Sequence, residues 1–236
     1  QAVEKGARRS VMCFDRADGK LLWQREVKFS GTETTHGDNP FCAGSPVTDG
    51  ERVVAWHGSA GMFCYDLDGK ELWQRMDLGE FNHIWGNASS PIIYKDKVIA
   101  YCGPGLRCFL AAFDKKTGAD LWKVELPDAQ AKLPKDFFGA WDSPVLREFE
   151  GRAQLLLGVP KHLCAYDPET GKEYWRCAGL GPLVYNNPVF GKSDILIQTS
   201  GYGGPAMAVR DGGSGDVTES RRLWVQQRQN PQRVGS

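Results

Sequence analysis

One sequence element recurs five times along the chain at an almost constant spacing. Each copy has an Asp, a Gly a few residues later and a closing Trp, and the five tryptophans are Trp23, Trp73, Trp122, Trp175 and Trp224. Their separations are 50, 49, 53 and 49 residues. Periods of this length are typical of repeat architectures, in which each repeat is one supersecondary unit. The chain is therefore expected to consist of about five such units.

Each unit contains short segments with the composition of β-strands. The third unit reads SPIIYKD, KVIAYCG, RCFLAAFD and ADLWKVEL. These runs are rich in β-branched and aromatic residues and are bounded by Gly, Pro or Asp, which is typical of strands. Four strands in about 50 residues is the composition of one β-propeller blade. The sequence thus predicts an all-β fold of four-stranded antiparallel blades with very little helix.

A Ser-Pro or Asn-Pro pair opens each of the last four units and sets the expected blade boundaries. The pairs begin at Ser45, Ser90, Ser143 and Asn187. We expect one propeller segment over residues 1–236. Its parts are a partial blade at 1–30, blades at about 40–78, 85–127, 138–178 and 182–226, and the start of a further blade at 227–236.

The Asp-x-x-x-Gly stretch is expected to be a tight turn between the two outer strands of a blade. The Asp side chain can cap backbone N–H groups two residues on, and the Gly supplies the positive φ that closes the hairpin. The Trp then lies on the outermost strand, where a small residue opposite lets it pack against a neighbouring blade. The residues assigned to this docking are Asp15, Gly19, Trp23, Asp66, Gly69, Trp73, Ala112, Asp114, Gly118, Trp122, Ala165, Asp167, Gly171, Trp175 and Trp224.

Several cysteines have expected places in this repeat. Cys13 and Cys64 occupy the small position that Ala fills in other copies, which favours a packing role for both. Cys102 and Cys108 flank a Gly-Pro-Gly turn, where a hairpin can bring two cysteines within disulfide reach. A disulfide in an oxidising compartment and two free thiols both remain open from the sequence.

The pattern Ala-x-Asp-x-x-Thr-Gly-x-x-x-Trp resembles the docking motif of quinoprotein-type β-propellers. This family includes quinoprotein alcohol dehydrogenases and the propeller lipoprotein of outer-membrane protein assembly. The copies that begin at Ala112 and Ala165 match the motif fully, and the fifth copy, with Val209 at the Ala position, carries an insertion. The resemblance implies a ring of seven or eight blades, with a closed five-bladed ring as the alternative. It also implies a periplasmic or otherwise extracytoplasmic location.

Composition excludes some classes of function. Lys and Arg number 29 against 29 Asp and Glu, so the chain lacks the basic excess of proteins that bind nucleic acid by bulk charge. No run of 18 apolar residues is present, so no transmembrane helix is expected, and we recognise no leader in residues 1–20. No Cys/His cluster has metal-ligand spacing, and no catalytic motif is found.

The best candidates for a binding site lie in the loops that precede the Ser-Pro strands. In a propeller the innermost strand borders the central channel, so four equivalent loops should meet at one end of it. Aromatic rings mixed with amides, imidazoles and carboxylates suit a polar ligand or a peptide. The predicted axial rim consists of His36, Asp38, His83, Trp85, Asn87, Trp141, Asp142, Tyr185 and Asn186. His57 and His162 lie in strand-to-strand turns, and we expect both to face solvent.

These observations favour a non-catalytic binding or scaffold module that needs no cofactor or metal, with an unknown protein, peptide or small polar ligand as its partner. The alternative is part of a pyrroloquinoline quinone (PQQ) and calcium-dependent alcohol or sugar dehydrogenase, as the resemblance allows. In the alcohol dehydrogenases of that family, the quinone lies between a Trp and a disulfide of adjacent cysteines. No Cys-Cys dipeptide occurs in this chain, which weakens the alternative without excluding it.

Overall fold

The computed structural model describes residues 1–41 and 43–227, which are almost entirely β-structure. Apart from two short parallel strand pairs, the strands form one three-stranded and four four-stranded antiparallel sheets, which follow one another along the chain as blades 1 to 5. The predicted all-β propeller fold of four-stranded blades is confirmed. The predicted further blade at 227–236 lies, apart from Gln227, outside the described residues.

The strands of the blades follow the repeat. Blade 1 contains β1 (Ala2–Val3), β2 (Arg8–Phe14) and β3 (Leu21–Lys28). Blade 2 contains β4 (Val47–Thr48), β5 (Arg52–Trp56), β6 (Met62–Asp66) and β7 (Glu71–Arg75). Blade 3 contains β8 (Ile92–Tyr94), β9 (Lys97–Cys102), β10 (Phe109–Asp114) and β11 (Asp120–Glu125).

Blades 4 and 5 carry additional short elements. Blade 4 contains β13 (Val145–Phe149), β14 (Arg152–Val159), β15 (His162–Tyr166) and β16 (Glu173–Ala178). Blade 5 contains β18 (Val189–Phe190), β19 (Ile195–Thr199), β20 (Ala206–Arg210) and β22 (Arg222–Gln226). The additional elements are β12 (Gly139–Ala140), β17 (Leu183–Val184), β21 (Gly215–Asp216), the helix α1 (Thr218–Arg221), and 3-10 turns at Glu4–Gly6, Gly58–Ala60 and Pro127–Ala129.

Three of the repeat tryptophans dock on the Asp-to-Gly turn of the next blade, which is one residue shorter in blade 2 (Asp66–Gly69) than in blades 3 and 4. The indole N–H groups donate to backbone carbonyls one residue after the turn Asp: Trp23 to Leu67 at 2.8 Å, Trp73 to Lys115 at 2.9 Å and Trp122 to Pro168 at 3.2 Å. The rings lie over the turn glycines. A Cβ on Gly118 would lie 2.7 Å from the Trp73 ring, and its φ of +74° also favours Gly. The docking therefore joins each blade to its successor.

The fifth copy of the repeat departs from the predicted docking. Trp224 pairs across the sheet with Ala208, not with the Val209 that the sequence alignment places there. The Asp that follows, Asp211, is buried against blade 4 in an ion pair with Arg147 instead of capping a turn. Trp175 is fully buried, but its indole N–H has no hydrogen-bond partner among the described residues. The insertion thus replaces the docking turn by the segment around β21, which pairs in parallel with β16.

Trp224 itself does not pack between two described blades. Its side chain is 45% exposed. Blade 5 is the last described blade, so no following blade covers the face that carries Trp224. The prediction that all five repeat tryptophans lie between neighbouring blades is therefore wrong for Trp224.

The disulfide considered for Cys102 and Cys108 does not form in this structure, where both are buried free thiols. Cys102 pairs across the hairpin with Phe109 and packs with it between blades 2 and 3. Cys108, one residue earlier, has its side chain on the opposite face, where it packs towards blade 4. Successive side chains of a strand point to opposite faces, so the two sulfur atoms are separated by the sheet.

His57 is buried, which corrects the expectation that it faces solvent, whereas His162 is partly exposed. Neither ring nitrogen of His57 has a hydrogen-bond partner among the described residues. Burial, with a smaller contribution from the nearby Arg9 charge, lowers the pKa of His57 from 6.5 to about 4. The imidazole is therefore neutral at pH 7 in the folded protein.

This pKa shift predicts that the protein loses stability in mild acid. Between pH 6.5 and about 4 the unfolded chain takes up a proton on His57 that the folded chain does not. The free energy of unfolding should then fall by about 3 kcal/mol as the pH decreases through this window. Urea denaturation at several pH values measures the slope. In the His57→Gln variant this contribution should disappear, and an unchanged slope would contradict the assignment.

Candidate functional site

A cavity of about 810 Å³ lies where the loops before the innermost strands of blades 2 to 5 meet. We call it the axial cup. Parallel pairing between β12 and β17 holds the loops of blades 4 and 5 together beside it. Its lining consists of His36, Asp38, Asn39, Ala43, Ser45, Trp85, Asn87, Ala88, Ser90, Ile92, Trp141, Ser143, Pro144, Tyr185, Asn187 and Tyr202. The four loops selected from the sequence therefore contribute to one concave surface.

Six of the nine predicted rim residues line the axial cup: His36, Asp38, Trp85, Asn87, Trp141 and Tyr185. The other three are buried behind it. His83 is fully buried and contacts the rings of both Trp85 and Trp141. Asp142 and Asn186 follow rim aromatics directly in sequence and point into the protein, so for these three the rim prediction is wrong.

Aromatic rings form one wall of the cup around Trp85. The Trp85 ring lies 4.9 Å from Phe137 and 5.6 Å from both Trp141 and Tyr202, measured between ring centroids. Trp141 is fixed by a 2.8 Å hydrogen bond from its indole N–H to the carbonyl of Gly86. Tyr202 lines the cup and is 57% exposed, whereas Phe137 contacts Trp85 from outside the cup lining and is 64% exposed. The wall thus has a rigid buried base and exposed aromatic edges.

His83 supports this wall as a neutral imidazole. Its Nε2 lies 3.0 Å from the carbonyl oxygen of Asp136, and its Nδ1 accepts the N–H of Trp85 at 3.3 Å. These contacts require a proton on Nε2 and a free lone pair on Nδ1. Burial lowers the pKa of His83, which keeps the ring in this form at neutral pH. His83 therefore positions the Trp85 backbone and carries no charge.

A row of hydroxyl and amide groups lines the cup at the start of the innermost strands. The N–H of Ser45 donates to Oγ of Ser90 at 2.9 Å, and the N–H of Ser90 donates to Oγ of Ser143 at 2.8 Å. The N–H of Ser143 donates to Oδ1 of Asn187 at 3.1 Å. The Ser-Pro repeat therefore has a structural role, because its side chains link each blade to the next. The hydroxyl protons remain available to a ligand.

A buried ion pair lies beneath the cup. The side chains of Arg9 and Glu33 are 0% and 1% exposed, and the guanidinium contacts the Glu33 carboxylate. The second carboxylate oxygen of Glu33 accepts a 2.6 Å hydrogen bond from Nδ2 of Asn87. Nδ2 of Asn87 also donates to the carbonyl of Phe81 at 3.0 Å. This network fixes Asn87 in the wall of the cup.

Asp142 lies behind the aromatic wall as a buried carboxyl group. It accepts the N–H of Gly158 at 2.5 Å through Oδ2, and its Oδ1 has no partner among the described residues. Burial raises the pKa of Asp142 well above its usual range. Burial thus favours the neutral, protonated form of this carboxyl group.

The cup does not supply the cation site that a calcium-dependent quinone would need. No group of three His, Cys, Asp or Glu side chains that could hold a metal ion occurs among the described residues. Glu33, the buried carboxylate beneath the cup, already has both oxygens occupied by Arg9 and Asn87. The described residues of this chain therefore do not fit the calcium part of such a cofactor site.

Sequence reasoning missed two contributors to the site, Tyr202 and Glu33. Tyr202 lies between β19 and β20, not in a loop before an innermost strand, so the repeat gave no signal for it. Glu33 was missed because its partner Arg9 belongs to another blade and carries no motif.

The fold and its repeated docking turn define a PQQ-like repeat β-propeller. The sequence matches the PQQ-like repeat family described as outer membrane protein assembly factor BamB over residues 2–130 and 107–236. Since these matches cover essentially the whole chain, the chain belongs to this family. Among its described residues, no helix is long and apolar enough to cross a membrane.

Two curated relatives are quinone-dependent enzymes. Quinohemoprotein alcohol dehydrogenase ADH IIB of Pseudomonas putida is 25% identical over 213 residues, which are 87% of this chain and 27% of that protein. The dehydrogenase subunit of the quinone alcohol dehydrogenase of Acetobacter aceti is 34% identical over 118 residues, 47% of this chain and 16% of that protein. The chain thus spans about a quarter or less of the length of these relatives.

Solved structures share the fold. BamB from Moraxella catarrhalis superposes with a TM-score of 0.59 at 18% identity, over 96% of this chain and 57% of that one. Quinohemoprotein alcohol dehydrogenase from Comamonas testosteroni gives a TM-score of 0.58 at 15% identity, over 92% of this chain and 40% of that one. At these identities the likeness concerns the fold alone.

Proposed function

We propose that the protein is a non-catalytic PQQ-like propeller that binds an uncharged polar ligand or a peptide segment in the axial cup. The observation that carries this proposal is the pairing of an aromatic wall around Trp85 with the hydroxyl and amide row that begins at Ser45. Flat apolar surfaces beside a few fixed polar groups are characteristic of small-ligand sites.

The charges around the cup support an uncharged ligand. None of the described lining residues is Lys or Arg, and the one carboxylate in the lining, Asp38, is largely exposed to solvent. Burial raises the pKa of Tyr185, so its phenol stays protonated. An anionic ligand would therefore meet no matching charge in the cup. The family description, an assembly factor of the outer membrane, supports a protein or peptide partner outside the cytoplasm.

The proposal predicts that binding depends on the aromatic wall. We would titrate the protein with uncharged probes, cellohexaose and the capped peptide Ser-Tyr-Asn-Tyr-Ser, and follow binding by calorimetry. At least one probe should bind, and the Trp85→Ala variant should weaken it at least tenfold because the central ring of the wall is lost. Leu72→Ala, at an exposed position outside the cup, should leave binding unchanged. Failure of both probes to bind, or binding that Trp85→Ala does not affect, would contradict the proposal.

The alternative function is part of a PQQ-dependent alcohol or sugar dehydrogenase. It is favoured by the two curated relatives, which are quinone-dependent alcohol dehydrogenases. The missing cation site and the absence of a Cys-Cys dipeptide weigh against it for the residues at hand.

A further inference from the structure

The row of side chains at the start of the innermost strands offers the cup hydrogen-bond donors. Ser90, Ser143 and Asn187 each accept a backbone N–H of the preceding blade through a side-chain oxygen. The two hydroxyl protons and the Nδ2 group of Asn187 make no hydrogen bond to the described residues. Since all three residues line the cup, these protons are available to acceptors of a ligand. We call these three residues the donor row.

Carboxylate, amide and imidazole acceptors outside the donor row are few among the lining side chains. His36, Asp38 and Asn39 belong to one loop and are exposed to solvent. Asn87 is buried, its Nδ2 is already bonded within the protein, and its Oδ1 is buried as well. A ligand donor that enters the cup and finds no acceptor loses its hydration without compensation. The cup therefore favours a ligand that brings acceptors and few donors.

The aromatic wall beside the donor row consists of rings that pack against one another. The centroid of Trp141 lies 5.6 Å from that of Trp85 and 5.2 Å from that of Tyr185, and Tyr185 lies 5.8 Å from Tyr202. Aromatic rings at these separations are in direct contact, so they leave no gap that could enclose a cationic group as an aromatic cage does. The wall therefore presents flat ring surfaces, against which a flat apolar group of a ligand can pack.

We infer that the ligand of the cup is a proline-rich segment of a polypeptide in the polyproline II conformation, an inference that rests on the proposed binding function. A proline residue has a backbone carbonyl and no N–H, so such a segment brings acceptors for the donor row and no donors. The polyproline II helix has no internal hydrogen bonds, which leaves every carbonyl free. Its proline rings pack on aromatic-lined grooves, and because the helix is already formed, little conformational entropy is lost on binding.

Calorimetric titration with capped octaproline tests the inference. Octaproline should bind at least tenfold more tightly than cellohexaose and the capped peptide Ser-Tyr-Asn-Tyr-Ser, which bring many donors of their own. Asn187→Asp keeps the oxygen that accepts the Ser143 N–H and removes the Nδ2 donor, so it should weaken octaproline binding at least tenfold. Asn82→Asp makes the same change outside the cup, where Oδ1 of Asn82 accepts the N–H and the hydroxyl of Thr34, and should leave binding unchanged.

The order of the three affinities on the wild-type protein separates this inference from the proposed function and depends on no variant. Cellohexaose or Ser-Tyr-Asn-Tyr-Ser binding as tightly as octaproline, or more tightly, would overturn the inference and leave the proposed function standing. Binding of none of the three probes would overturn both. Circular dichroism checks that the variants fold. Octaproline binding that a folded Asn187→Asp variant retains in full would also overturn the inference, because the donor row would then play no part.

Discussion

Replacing Trp175 by Ala should lower the free energy of unfolding by about 3–5 kcal/mol, the range for a fully buried large aromatic side chain. Trp175 is fully buried in the cluster that joins blades 3, 4 and 5. Its indole N–H has no partner among the described residues, so the loss comes from packing and from the cavity left behind. Urea denaturation followed by far-UV circular dichroism measures the change.

Trp224 provides the matched control for this experiment. It is the same residue type at the same position of the repeat, yet it is 45% exposed. At low protein concentration Trp224→Ala should cost about 1 kcal/mol or less, as surface substitutions usually do. Equal losses in the two variants would contradict the account of blade docking.

Replacing Glu33 by Gln should also cost about 3–5 kcal/mol, because it leaves the Arg9 guanidinium buried without its counter-charge. Both side chains are essentially inaccessible. The control is Glu26→Gln, which breaks a partly exposed pair with Arg8 and should cost about 1 kcal/mol or less. Urea denaturation again gives the values.

The double variant Arg9→Met with Glu33→Leu separates the charge effect from a packing effect. Replacing both members of a buried pair by apolar residues is often neutral or stabilising. The double variant should therefore recover most of the stability that Glu33→Gln loses. If it were less stable than Glu33→Gln, the loss would stem from packing, and the buried charge would not be its cause.

The repeat made the fold predictable, because each copy of the turn and its Trp indicates the same local structure, the hairpin of the two outer strands of a blade. The register of the loops also predicted that Trp85, Trp141 and Tyr185 would meet at one cavity. Which neighbouring polar residue faces that cavity was not predictable, since Asp142 follows Trp141 by one position and its side chain lies behind the wall. A shift of one residue reverses the direction of a side chain on an extended chain.

Long-range contacts without a motif were also beyond the sequence. Arg9 lies in β2 of blade 1 and Glu33, 24 residues later, lies in the loop that leads to blade 2, with no motif that connects them. The fifth repeat shows the same limit, because its insertion moves Asp211 out of the turn and into an ion pair with Arg147. The alignment of Val209 with the docking position failed for this reason.

The most direct test of the central claim, that the axial cup binds a ligand without catalysing its oxidation, is an activity measurement. The protein is supplied with PQQ and Ca²⁺, and dye-linked oxidation of alcohols and sugars is followed. Our account predicts turnover no higher than that of a mixture without protein. Turnover that requires PQQ and is lost in the Trp85→Ala variant would contradict it and would establish the dehydrogenase alternative.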